Sequence, residues 1–108
     1  MAYEMIMNAF NYLVTEYHCS VTYEKNGGEY FYFQNERFLL KVYVWLEFND
    51  LEINLFYDGK NIRIEPYWED PKLTAKRRKI SLFFYKFEQR YWDLIGEIVK
   101  SKIKKTIE

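Results

Sequence analysis

The sequence predicts an α+β fold in two layers: an N-terminal helix, a five-stranded antiparallel meander, and a long C-terminal helix packed on one sheet face. Three observations predict it. Apolar residues recur every three or four positions at both ends of the chain, and they alternate with period two between residues 19 and 65. Short turn signals cut that alternating stretch, and short turns join antiparallel neighbours.

The first helix is read from Tyr3, Ile6, Met7, Phe10, Leu13, Val14 and Tyr17, which share one face, and it should end near Tyr17 or His18. Cys19, Val21 and Tyr23 then alternate with Ser20, Thr22 and Glu24 as a half-buried strand. Asn26-Gly27-Gly28 turns the chain into Glu29-Tyr30-Phe31-Tyr32-Phe33-Gln34, since glycine reaches positive φ at no steric cost. After Asn35-Glu36-Arg37 a third strand is expected over residues 38–48. Phe38, Leu40, Val42, Val44, Leu46 and Phe48 form its inner face, and Leu39, Lys41, Tyr43, Trp45 and Glu47 its outer face.

Asn49-Asp50 leads to a fourth strand with Leu51, Ile53, Leu55 and Tyr57 inside and Glu52, Asn54, Phe56 and Asp58 outside. Asp58-Gly59 signals a second tight hairpin, followed by Ile62 and Ile64 inside and Arg63 and Glu65 outside. Pro66 cannot donate to a ladder, so the sheet stops there. Asp70-Pro71 fits a helix start, and Ile80, Phe84, Phe87, Tyr91, Leu94, Ile95 and Ile98 follow at helical spacing. Leu82 to Phe87 suits a helix or a sixth strand equally. Arg90 with Asp93, and Glu97 with Lys100, are spaced to pair along this helix. Lys100, Lys102, Lys104 and Lys105 suit its negative end, and Gly96 weakens its last turns.

At 108 residues the chain is expected to form one domain with one core. A single cysteine, Cys19, cannot make an internal disulfide, and no window approaches the ~18 apolar residues of a membrane span. No secretory leader is read at the N-terminus, so a cytoplasmic protein with no membrane association is expected. Net charge is zero, but it conceals a dipole. Residues 1–70 carry 12 acidic and 5 basic side chains, whereas residues 71–108 carry 4 acidic and 11 basic.

Chemistry-bearing patterns are sparse. His18 and Cys19 are adjacent, and neighbours on a strand point to opposite faces, so they do not read as base and nucleophile. No aspartate-rich loop and no glycine-rich phosphate loop is present, so neither a metal nor a cofactor is expected, and no set of residues reads as catalytic. Glu47 and Glu52 are placed to face each other across a hairpin, as solvated carboxylates. Lys76-Arg77-Arg78-Lys79, after Lys72, is read first as a solvated helix face that balances the acidic sheet. Phosphate binding or a localisation signal is the other reading of that run.

The aromatic share of 21% is the unusual number, because two-layer burial does not easily shelter it. With Phe31 and Phe33 beneath the helices, the outer sheet face collects Tyr30, Tyr32, Tyr43, Trp45 and Phe56. Around these lie Glu24, Lys41, Glu47, Glu52, Asn54, Arg63 and Glu65, in the manner of an interface core with a polar rim. Cross-strand packing alone also accounts for such aromatics, at about 0.2 to 1 kcal/mol per pair. So does cover from Tyr67, Trp68 or the C-terminal tail.

The partner-binding residues expected are Tyr30, Tyr32, Tyr43, Trp45, Phe56, Glu47, Glu52 and Arg63, engaging a protein. The small size, the helix, meander, helix order and the acidic aromatic sheet resemble the small immunity proteins that bacteria encode beside secreted toxins. The resemblance spans the whole chain as an architecture and carries no motif, so no residue role is transferred. It implies an inhibitor that occludes a toxin, commonly a basic nuclease. Single-stranded nucleic acid stacking on Tyr30, Tyr32, Tyr43 and Trp45 ranks lower, because Glu24, Glu47, Glu52 and Glu65 would repel phosphates. A homodimer that pairs two aromatic faces is the third reading.

Overall fold

The computed structural model describes residues 2–48, 50–66 and 88–108. Its elements run α1 (Ala2–Ala9), α2 (Asn11–Thr15), β1 (Ser20–Asn26), β2 (Gly28–Gln34), β3 (Phe38–Trp45), β4 (Asp50–Tyr57), β5 (Lys60–Ile64) and α3 (Gln89–Ile107). The strands form one antiparallel sheet in the order β1-β2-β3-β4-β5, the expected meander. Among the described residues no helix is long and apolar enough to cross a membrane.

Alternation along the strands fixes the two faces. In β3 the burial alternates residue by residue, with Phe38, Leu40, Val42 and Val44 buried and the residues between them half-buried. These four join Phe31 and Phe33 of β2, Ile53 and Leu55 of β4, and Ile64 of β5 in one apolar cluster. The helices complete that cluster with Ala2, Ile6, Phe10 and Leu13 on one side and Tyr91, Trp92, Ile95, Val99 and Ile103 on the other. Burying such side chains contributes about 1.5 to 3 kcal/mol each, which is what holds the helical layer to the sheet.

The turns carry the chemistry their positions demand. Asp58 and Gly59 both lie at positive φ, 52° and 72°, with Tyr57 facing Lys60. That is the two-residue hairpin whose twist matches the flanking strands. Between β2 and β3, Asn35 Oδ1 accepts from the backbone N–H of Arg37 and Phe38, and its Nδ2 donates to the Tyr17 carbonyl at 2.9 Å. One side chain thus shapes a turn and ties it to the segment between α2 and β1.

Several expectations require correction. The first helix does not run unbroken to Tyr17. Phe10 leaves helical geometry at φ −104°, ψ 15°, which separates α1 from α2. Phe10 then rests on Phe33 at 5.7 Å between centroids, while the Tyr12 hydroxyl donates to the Gly96 carbonyl at 3.0 Å. The third strand ends at Trp45 rather than residue 48, because Trp45 pairs with Asp50 and the connection starts as a 3₁₀ turn, Leu46–Phe48. Glu47 is therefore in a turn, and Glu52 faces Tyr43 instead of Glu47.

Helix α3 begins at Gln89, since Glu88 before it is extended at φ −104°, ψ 137°. The Asp70-Pro71 helix start, the alternatives for residues 82–87, the basic run at residues 76–79 and the cover by Tyr67 or Trp68 lie outside the described residues. Arg90 pairs with Glu88 at 2.9 Å, not with Asp93, which instead accepts from Gln89. Lys100 reaches past Glu97 to Glu16 of the α2 segment, at 2.9 Å, and lies 5.1 Å over the Tyr12 ring. A partner on another element wins here because the two helical segments lie side by side.

Gly96 explains how closely they lie. It is buried, and a Cβ there would fall 2.5 Å from the Ala9 carbonyl oxygen, a backbone atom that cannot swing aside. The glycine that weakens α3 in propensity is the one that lets α1 cross it.

Gly96→Ala tests that crossing. Helix propensity alone would stabilise the variant by about 1 kcal/mol, whereas the collision predicts a net loss of about 1 to 3 kcal/mol, read from urea unfolding. Alkaline pH supplies a second test. Burial pushes the Cys19 thiol from 9.0 up to about 11 and, with Tyr17 and Glu16 adding to it, pushes the Tyr12 hydroxyl above its usual 10.0. Both groups hold their protons more tightly when folded. The Cys19 contribution is complete below pH 9 and is lost as pH rises through 11, and the Tyr12 contribution starts to be lost only above pH 10. The urea midpoint should fall across that window, and Cys19→Ala should remove the part of the fall that begins near pH 9.

Candidate functional site

Because both helices cover one face, the other face of the sheet carries whatever alternates away from the core. Register places its side chains in rows across the strands. One row runs Glu24, Tyr30, Tyr43, Glu52. The next runs Thr22, Tyr32, Lys41, Asn54, Arg63.

The first row is an aromatic pair flanked by carboxylates. Tyr30 and Tyr43 pack as a tilted pair, 4.7 Å between centroids and 39° between planes. In the second row the Lys41 ammonium lies 5.5 Å from the Tyr30 ring centre and 5.9 Å from that of Tyr32. It thus sits against two aromatic faces, where each ring's quadrupole attracts it. Asn54, only 7% exposed, donates to Glu52 at 3.0 Å and fixes that carboxylate beside Tyr43. Burial first, then Tyr30, Asp50 and Glu52, push the Tyr43 hydroxyl above its usual value, so the negative field at this end of the face is felt by the ring itself.

The glycine hairpin seats these rings. A Cβ on Gly28 would lie 2.5 Å from the Tyr43 ring, and one on Gly27 would touch the Trp45 ring at 3.5 Å. Gly27 needs glycine for its φ of 76°, but Gly28 has no such φ. Gly28 is bare because Tyr43 occupies the space a side chain would need. A cleft of about 590 Å³ opens beside this seat, with Lys25, Glu29, Trp45 and Glu47 on its walls. The sequence signal for it was present, since two glycines lie across the hairpin from an aromatic strand. Read as a turn alone, they did not reveal the hollow.

Tyr30, Tyr32 and Tyr43 are thus brought together with Lys41 and Glu52, as expected. Trp45 and Glu47 adjoin them at the cleft. Arg63 and Phe56 stand apart. Arg63 pairs with Glu65 at 2.7 Å. Phe56, 37% exposed, faces Leu39 and Asn61 at the opposite end of the face. Four residues of β3 separate Leu39 from Tyr43, about 13 Å of strand.

The remaining chemical candidates differ in their exposure. His18 is exposed at φ 55°, while Cys19 is 5% exposed, with its thiol held protonated by burial. Among the described residues no three His, Cys, Asp or Glu side chains converge as a metal ion would need.

In comparisons with known proteins, the chain matches no family model, no curated protein and no solved structure.

Proposed function

We propose that this chain is a non-enzymatic protein-binding module whose acid-ringed aromatic platform, Tyr30, Tyr43 and Trp45, engages a basic protein. In the immunity-type reading that protein is a toxin domain, and binding occludes it. The observation that carries the proposal is the arrangement of carboxylates about these rings: Glu24 and Glu52 flank the Tyr30–Tyr43 pair, Asp50 faces Trp45, and Glu47 lines the adjoining cleft. Against these four acids, the cation set among the rings is Lys41.

That chemistry favours a partner's arginine or lysine. A guanidinium stacked on an aromatic face gains about 0.5 to 2 kcal/mol, and a neighbouring carboxylate adds a charge-assisted hydrogen bond. Long-range attraction to the acidic face would speed encounter, while the rings would hold the complex once water is expelled. Phosphate groups meet the opposite situation, since the same carboxylates repel them. Single-stranded nucleic acid is accordingly the disfavoured ligand of this face.

Tyr43→Ala combined with Trp45→Ala should leave the circular dichroism of a folded protein and lower affinity for the native partner about 100-fold or more. Capture from the source cell, with quantitative mass spectrometry against wild type, reads this directly. Undiminished capture by the double variant would sink the proposal. Gly28→Ala gives a gentler version: it keeps every ring but displaces Tyr43, and should weaken capture about tenfold. Captured protein should be basic and released by raised salt. Binding of oligonucleotides with steep salt dependence would instead support the nucleic-acid reading.

A further inference from the structure

The sheet has two edges, and they are built differently. Edge β5 is short, five residues, and it carries Lys60 and Arg63 and is followed within two residues by Pro66. These are the usual devices that blunt an exposed edge. Edge β1 has none of them. It is seven residues long, six of them exposed, and it runs in unbroken register with β2 without a bulge or proline. Its two charges, Glu24 and Lys25, are adjacent and opposite, so they present no like-charge barrier.

An aromatic pair stands at the middle of this edge. Tyr23 is the fourth of the seven residues, 37% exposed, and its ring meets Tyr3 of α1, 42% exposed, edge to face at 4.8 Å. They are two of the three exposed large apolar side chains among the described residues. The Tyr23 hydroxyl donates to Glu29 at 2.8 Å, which fixes the ring against Phe31. An open strand edge and a held, exposed aromatic pair therefore coincide at one point.

We propose that β1 is the interface at which two copies of this chain pair, antiparallel, about a two-fold axis through Tyr23. That register uses the whole strand. On the helix side it sets Tyr23 against Tyr23 of the second copy and Val21 against Lys25. On the other side it sets Ser20 against Asn26 and Thr22 against Glu24. No like charges fall directly opposite. A shift that centres the axis on Glu24 would oppose two carboxylates, which disfavours it. The axis is normal to the sheet, because residues directly opposite in an antiparallel pair share a face. The result is a continuous ten-stranded sheet with the helices of both copies on one side and a four-tyrosine cluster closed over the junction. A second copy is favoured over an unrelated strand because the edge complements itself. This inference does not depend on the identity of any partner of the opposite face.

Sedimentation velocity at rising concentration tests it. Wild type should reach twice the monomer mass at high micromolar concentration, and a strict monomer there overturns the proposal. Tyr23→Lys places two ammonium groups on the axis and should weaken the dimer at least tenfold, with the circular dichroism of the monomer unchanged. A dimer that survives this change overturns the register. Geometry is tested independently by crosslinking in a Cys19→Ala background. Tyr23→Cys should oxidise to a covalent dimer, because opposed residues lie about 4.5 to 5.5 Å apart at Cα, within disulfide range. Ser20→Cys, opposite Asn26, should not. Crosslinking by Lys41→Cys on the outer face, with none by Tyr23→Cys, would assign the contact to the sheet face and overturn the edge.

Discussion

The close crossing of α1 and α3 at Ala9 and Gly96 sets the rest of the molecule. Two helices side by side make a layer wide enough to shelter one face of a five-stranded sheet, and they can lie that near only if one of them is bare where they touch. The crossing also brings Tyr12 to the Gly96 carbonyl and Glu16 to Lys100, so polar contacts rim an apolar seam. Packing, not hydrogen bonding, carries most of the stabilisation. The part-buried Tyr12 hydrogen bond contributes about 1 kcal/mol net, against about 1.5 to 3 kcal/mol for each large buried side chain.

With the helical layer committed to one face, the aromatic surplus has to divide. Tyr30 and Tyr32 point away from the core while Phe31 and Phe33 are buried, an outcome that period two alone requires once Val42 and Leu40 are known to be inside. That much was legible, because alternation is a local property and β2 and β3 are each longer than a turn. The ring contacts were not. Whether Tyr30 meets Tyr43 or Lys41 depends on register, and register depends on how many residues each turn consumes.

The turns and pairings show where local reading stops. Asp58-Gly59 was legible because both residues need positive φ and few residues tolerate it. The connection from β3 to β4 was not, since Leu46 and Phe48 extend the alternating pattern into a segment that turns as 3₁₀ helix. A two-residue periodicity carried three residues too far, and with it Glu47 left the position opposite Glu52. Arg90 and Lys100 were misassigned for a different reason. Spacing along one helix names the nearest partners on that helix, but Glu88 and Glu16 approach from outside it. Gly96 inverted its meaning for the same cause, because a propensity scale has no knowledge of a neighbouring helix.

Two surfaces are left for work, and their geometry relates them. The platform of Tyr43 and Trp45 lies at the end of the sheet where β1 turns into β2, whereas the β1 edge runs along its side. In the proposed dimer the second β1 runs in the opposite direction, so the two platforms fall on one side of the ten-stranded sheet but at opposite ends. Strand length and the spacing of five intervening strand pairs separate them by on the order of 30 Å. Each copy would thus present its own platform. The two surfaces meet along β1, where Glu24 flanks the rings and Lys25 walls the cleft while both lie in the paired edge. Of the acids near the face, Glu24 follows Tyr23 directly on β1, and Glu29 on the cleft wall accepts the Tyr23 hydroxyl, which joins the cleft to the edge. Through that bond, a cation drawn to Glu29 in the cleft would compete with the Tyr23 hydroxyl for the same carboxylate oxygen, which makes Glu29 the residue through which either event could weaken the other.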